Sequence, residues 1–167
     1  KTGEAFTVEV RAVDSAYNFI ESTSAVNVML GPANYFNNLG STQTLIGGTT
    51  SFSVVFHKAS NFTVTIATAS PSMMVSTTTT RFSIGANSWS KLLVLLPTET
   101  HDPGRGPFDY GSTGGRLPSD PPDALTAGLR VFDIAVRAVD DYWNTVNVSS
   151  AVTIVSYSDA NGVAITP

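Results

Sequence analysis

A segment near the start of the chain, Phe6-Thr7-Val8-Glu9-Val10-Arg11-Ala12-Val13-Asp14, returns as Phe132-Asp133-Ile134-Ala135-Val136-Arg137-Ala138-Val139-Asp140. Such a repeat constrains the fold strongly, because each copy must form the same small unit and bury its apolar face against something. The match runs past these segments. Tyr17 aligns with Trp143, Asn18 with Asn144, Ile20 with Val146, and Ser24-Ala25-Val26 with Ser150-Ala151-Val152. In the first copy Phe6, Val8 and Val10 alternate with Thr7, Glu9 and Arg11. That period of two belongs to a strand with one buried and one wet face.

Runs of the same kind follow at 25–30, 42–46, 51–56, 62–67 and 78–84. Between them stand turn formers: Gly31-Pro32-Ala33-Asn34, Gly47-Gly48, Ala59-Ser60-Asn61 and Ser70-Pro71-Ser72, residues that reverse a chain by permissive backbone or local hydrogen bonding. Evenly spaced strands without helical periodicity predict an all-β fold. The expected architecture is tandem immunoglobulin-like β-sandwich domains, the second one incomplete in this chain. The first repeat is placed at 1–88, with its first strand missing, and the start of a second at 89–167. Lys1 stands directly before a strand, as in a chain that continues upstream. In the second repeat, 91–96, 131–139, 151–157 and a run from Val163 are strand-like. Residues 97–127 are a Pro/Gly-rich long loop or linker, which Phe108, Tyr110 and Leu117 would hold if it is ordered.

Composition narrows what such a chain does. Charged residues are 13% of the chain and apolar ones 42%, so the exterior must be largely hydroxylic. Ser and Thr fill 40 positions, and runs such as Thr77-Thr78-Thr79-Thr80 suit extended backbone. The net charge is −4, and the 9 Lys and Arg form no cluster, which argues against a nucleic-acid partner. No apolar run approaches the length needed to cross a bilayer as a helix, so no membrane insertion is expected. The absence of cysteine excludes disulfides and thiolate chemistry, and fits a secreted bacterial protein or a cytosolic one.

The run Gly3-Glu4-Ala5-Phe6-Thr7-Val8-Glu9-Val10-Arg11-Ala12-Val13-Asp14 followed by Tyr17-Asn18 resembles the B strand and B–C turn of bacterial Ig-like repeats of the invasin, intimin and filamin-like kind. Ala127-Gly128 precedes the second copy in the same way, and the resemblance covers nearly the whole chain outside 97–127. It implies tandem arrays in large surface or secreted proteins, acting as stalks and adhesins. The expected function is therefore a non-enzymatic extracellular structural or adhesive repeat at the cell surface. Its partners would be neighbouring Ig-like repeats or copies of itself. The alternative is a carbohydrate-binding accessory module of a secreted hydrolase, with surface polysaccharide as partner.

Candidate chemistry is sparse. His57 and His101 are the two imidazoles. His57 closes a strand as a surface ring, and His101-Asp102 lies in the loop without the rigid support a catalytic pair needs, so no catalytic residue is assigned. Calcium is the best metal candidate, through Asp14 with Asn18, Asp140 and Asp141 with Asn144, and Asp159 with Asn161. Asp and Asn also build turns by bonding their own backbone, and the turn reading is preferred, leaving no cofactor assigned. Asn61-Phe62-Thr63 and Asn147-Val148-Ser149 are N-glycosylation sequons. Lys91 is the only lysine placed for an isopeptide crosslink, and none is expected. Tyr35, Phe36, Trp89, Phe108, Tyr110, Tyr142 and Trp143 are candidate contact aromatics for a sugar. Trp143 shares its turn position with Tyr17, which favours a packing or interdomain role. Interrupted sandwiches would leave open strand edges, so polymerisation by strand exchange is a further expectation.

Overall fold

The computed structural model describes residues 1–23, 25–31, 42–68, 77–97, 99–106, 114–117 and 133–153. Among these every regular element is a strand and every pairing is antiparallel. Strand β1 (Ala5–Arg11) pairs with β4 (Thr49–Val55), from Ala5 opposite Val55 to Arg11 opposite Thr49. A second sheet centres on β2 (Ala25–Gly31) and β5 (Ser60–Thr68), with β3 (Gln43–Thr44) on the outer edge of β2. Strands β6 (Thr77–Thr78) and β7 (Phe82–Ile84) share the other edge of β5.

Alternation decides which faces meet. Phe52 and Val54 of β4 are buried while Ser51 and Ser53, which alternate with them, are exposed. They join Val10 and Ala12, Phe62 and Val64 of β5, Leu45 and Phe56 in one core, with Phe6, Val8, Phe82 and Ile84 packed around it. The β1–β4 pair thus faces β5 and β7 across shared apolar side chains. Phe56 sits at the centre: Phe62 lies 4.4 Å away, Phe6 stacks at 5.5 Å, and Phe82 meets it edge-on at 5.8 Å. Rings so arranged contribute about 0.5–1.5 kcal/mol per pair beyond burial.

The run at 78–84, expected as one strand, is two. The Thr79 N–H donates to the Val64 carbonyl at 2.8 Å, while the Thr79 hydroxyl accepts the Val64 N–H at 3.0 Å. A side-chain oxygen there takes the place of a backbone carbonyl, and the ladder breaks locally. The strand resumes at Phe82, which brings Phe82 and Ile84 to the core.

A smaller set of strands stands apart among the described residues. Strand β8 (Lys91–Leu95) pairs with β11 (Ala135–Val139), and Leu93, Leu95, Val139 and Trp143 form a separate core. The expected strand at 131–139 is shorter than its hydrophobic pattern, since Asp133 and Ile134 lie outside it. Residues 151–153 of the expected strand at 151–157 are also outside any strand, and its remainder and the run from Val163 fall outside the described residues. The Pro/Gly-rich 97–127 is not wholly irregular, because β9 (Thr100–His101) pairs with β10 (Arg116–Leu117). Leu117, expected to anchor this segment, is 44% exposed. Phe108 and Tyr110 lie outside the described residues. The paired part bonds the turn at 140–144 through Gly104 and His101, and β8 through Arg116.

Candidate functional site

The duplicated sequence produces duplicated backbone. In the first copy the Asp14 N–H donates to the Asn18 carbonyl at 2.9 Å and the Tyr17 N–H to the Asp14 carbonyl at 3.0 Å. Asp14 Oδ1 collects the N–H groups of Ala16 at 2.8 Å and Asn18 at 2.9 Å, and Asn18 Nδ2 donates to Asp14 Oδ2 at 3.0 Å. In the second copy Asp140 and Trp143 donate to the equivalent carbonyls at 3.0 and 3.1 Å. Asp140 Oδ1 there accepts from the backbones of Tyr142 and Asn144, both at 2.9 Å. The aromatic residue before each Asn is left-handed, Tyr17 at φ 64° and Trp143 at φ 65°. Such a φ is unusual for a bulky side chain, and a carboxylate binding the N–H groups on either side holds it in place.

The surroundings of the two turns differ completely. The first is in solvent, with Tyr17 86% exposed. The second is buried against Thr2, His57, Ala59 and Asn87, where Asp140 is 0% and Asn144 1% exposed. Asp140 Oδ2 accepts the Thr2 hydroxyl at 2.6 Å and the Asn87 N–H at 3.0 Å. Asn144 Oδ1 accepts the Ala59 N–H at 2.7 Å while its Nδ2 donates to the His57 carbonyl at 2.7 Å. The Tyr142 ring stacks on His57 with centroids 4.3 Å apart, and it covers Gly3 so closely that a Cβ there would collide with it. A buried carboxylate costs several kcal/mol unless donors replace its water. Here the Thr2 hydroxyl and the amides of Asn87, Tyr142 and Asn144 replace it.

The opposite side of the tip is closed by the segment after β8. The Gly104 N–H donates to the Tyr142 carbonyl at 2.8 Å, and His101 Nε2 bonds the Trp143 carbonyl. Gly115, at φ +75°, lies against the indole where any Cβ would clash. Lys91 Nζ sits 3.7 Å from the Trp143 ring centroid and donates to the Asp141 carbonyl at 3.0 Å.

Titration properties follow these contacts. The Asn18 amide and then the turn N–H groups hold the Asp14 carboxyl below its usual range. Burial pushes His57 down. His101 is also lowered by burial, against a raising hydrogen bond to the Trp143 carbonyl. Lys91 is lowered by burial, against raising charges on Asp141 and Asp140.

The candidates named from sequence now have places. The Asp14 and Asp140 carboxylates receive N–H donors from their own turns, Asn18 and Asn144 among them, and Asp141 offers its carbonyl to Lys91. No group of three or more His, Cys, Asp or Glu side chains gathers as a cation site among the described residues. Asn61 and Asn147 are both exposed, and the Asn61 side chain accepts from the Ser83 hydroxyl. Two readings are corrected. His57 is not a bare surface ring, because the inserted Tyr142 lies flat on it, and His101 belongs to a strand in contact with Trp143 rather than to an unsupported loop. Trp143, named as a contact aromatic and read in preference as a packing residue, is 7% exposed, its ring lying between Lys91 and Gly115. Thr2, Ala59, Asn87 and Gly104 went unnoticed because most of them act through backbone N–H groups, which any residue type supplies. A shallow groove of about 200 Å³ runs beside β8 and β11 between Trp89, Leu92, Val136, Val148 and Val152. Compared with known proteins, the chain matches no family model, no curated protein and no solved structure.

Proposed function

We propose that the chain is a non-enzymatic structural or adhesive repeat protein of the cell surface, a stalk, spacer or fibre subunit. Its units are Ig-like sandwiches of the bacterial invasin, intimin and filamin-like kind. The observation that carries this reading is the inserted turn. Domains joined only by a linker move relative to one another, whereas Asp140 and Asn144 tie the second repeat to the first through Thr2, His57, Ala59 and Asn87. A joint of directional hydrogen bonds around a buried carboxylate transmits force and orientation from one repeat to the next.

Strand exchange has its own support. Ala12 bonds Gly48 on the β4 side, while Val139, the counterpart of Val13, accepts from Ser90 on the β8 side. Successive residues of a strand turn their polar groups to opposite edges. A strand equivalent to β8 would therefore meet the edge of β1 away from β4, which carries no other strand among the described residues. The sugar-binding alternative is weakened by the use of Tyr142 and Trp143 inside the joint.

Residual dipolar couplings measured on the intact chain test the reading. A stalk requires one alignment tensor for both repeats in the wild type and two in D140A/N144A. Independent tensors in the wild type would sink it, and specific retention on a polysaccharide panel would favour the alternative.

A further inference from the structure

Building on the stalk reading, we propose that the exposed turn at 14–18 is a second docking tip. Its partner is the cradle end of another repeat of the kind formed by residues 1–88, the kind of end that receives Asp140 and Asn144.

The first argument is unfilled valence. Asp140 Oδ2 accepts from Thr2 and Asn87 across the joint, whereas Asp14 Oδ2 accepts, among the described residues, only from its own Asn18. Asn144 Oδ1 takes the Ala59 N–H, and Asn18 Oδ1 has no such donor among the described residues. The two tips present the same acceptors in the same backbone frame, and a cradle built of a hydroxyl and two N–H groups fits either.

Exposed apolar surface is the second argument. Val13 is 41% exposed where Val139 is fully buried, and Tyr17 is 86% exposed where Trp143 is 7%. Phe19 at 52% and Ile46 at 81% lie on the same end, because the Gly47-Gly48 turn that follows Ile46 packs against Phe19 and Ile20. A contiguous apolar end rimmed by unfilled acceptors marks an interaction site rather than ordinary surface.

Strain points the same way. Tyr17 holds φ 64° with its ring in solvent, where Asn or Gly would adopt that backbone more easily. In the second copy an aromatic at this position fills the joint. A strained bulky residue whose ring packs on nothing local fits a role in an assembly.

The cradle of the intact chain is filled by its own 140–144 tip, so D140A/N144A is the probe, because it opens the cradle while leaving the 14–18 tip in place. Tip-to-cradle contact between chains is heterologous and does not close, so this variant forms head-to-tail oligomers. Sedimentation velocity at concentrations up to about 1 mM, comparable to the effective concentration that a tethered tip enjoys, should show its weight-average mass rising at least roughly 1.5-fold. The wild type and the quadruple variant D14A/N18A/D140A/N144A should stay monomeric. A monomeric D140A/N144A overturns the proposal, as does equal association by the quadruple variant or by the wild type. Should D140A/N144A lose its dispersed amide spectrum, N144A against D14A/N18A/N144A is measured in its place, with the same outcomes deciding. Because the stalk reading is tested by dipolar couplings in the wild type, either idea can fail without the other.

Discussion

Turns 14–18 and 140–144 share a sequence pattern, a hydrogen-bond set and a left-handed aromatic, yet one stands in water and the other is among the most deeply buried polar features described. The comparison separates two kinds of information. The turn itself is encoded locally: Asp supplies acceptors for N–H groups two and four residues on, and Asn four residues later supplies a donor back to the carboxylate. Burial is encoded elsewhere, in Thr2, Ala59, Asn87 and the glycines that let Tyr142 and Trp143 approach. The same turn therefore serves as a surface feature or as a plug, depending on what meets it.

Removing the carboxylate from each turn breaks the comparison most sharply. In D140A the Thr2 hydroxyl and the Tyr142 and Asn144 N–H groups lose their acceptor in a buried or part-buried setting, while the Asn87 N–H keeps only its bond to the Thr2 hydroxyl oxygen. Each unsatisfied buried group costs about 1–3 kcal/mol, so a total of about 3 kcal/mol or more is expected in chemical denaturation, with amide exchange at Ala59 and Asn87 losing its protection. In D14A the same kinds of donor turn to water, and the loss should be smaller and confined to residues near Ala16 and Asn18. Equal losses in both variants would show that the joint adds nothing to the turn.

A subtler separation comes from the aromatic residues. G115A places a methyl group into the Trp143 indole at a glycine of positive φ, so the ring must shift or leave. Overpacking of this kind costs about 1–3 kcal/mol. The expected signature is a red-shifted, more quenchable Trp143 emission in G115A, read in a W89F background so that a single indole reports. Y17A removes a whole ring from the equivalent position, yet stability should stay within about 0.5 kcal/mol because the ring is 86% exposed. A strong effect of Y17A would mean that its ring already packs against the chain.

Much of this was visible in the residues themselves. Alternation in Phe6, Val8 and Val10 and in Phe52 and Val54 marked core strands, because a two-residue period on a sheet has one interpretation once a face is buried. The Asp-to-Asn spacing marked both turns, since that chemistry is local. The joint was hidden for physical reasons. The Ala59 and Asn87 N–H groups leave no trace in side-chain identity, and Thr2 and Gly3 read as ordinary residues before a strand. Tertiary contact also overrode local pattern at Thr79, whose hydroxyl interrupts a run of threonines with every preference for continuous strand. The one cue that pointed across the molecule was Trp143 matching Tyr17: aromatics at equivalent turn positions suggested a shared packing or interdomain role, and of the two only Trp143 is buried.

Acid should distinguish the two turns with the smallest perturbation. His57 under Tyr142 and His101 against the Trp143 carbonyl both have pKa values lowered from 6.5 by burial, so the unfolded chain binds more protons than the folded one between the lowered values and 6.5. Stability therefore rises with pH across that window: the neutral rings contribute fully above about pH 6.5, and the contribution is lost as pH falls through their folded values. Asp14 behaves otherwise, since its carboxyl is held below 3.8 and stays ionised throughout the histidine window. Between pH 7.5 and 5 the amide signals of Ala59, Tyr142 and Asn144 should move and broaden while those of Ala16 and Asn18 stay fixed. The denaturation midpoint should fall in the wild type more than in D140A, where the joint is already open. Histidines that titrate while the Ala59 and Asn144 signals stay still would show that the imidazoles flank the joint without stabilising it. The hydrogen bonds of Asp140 and Asn144 would then hold the joint without help from the imidazoles.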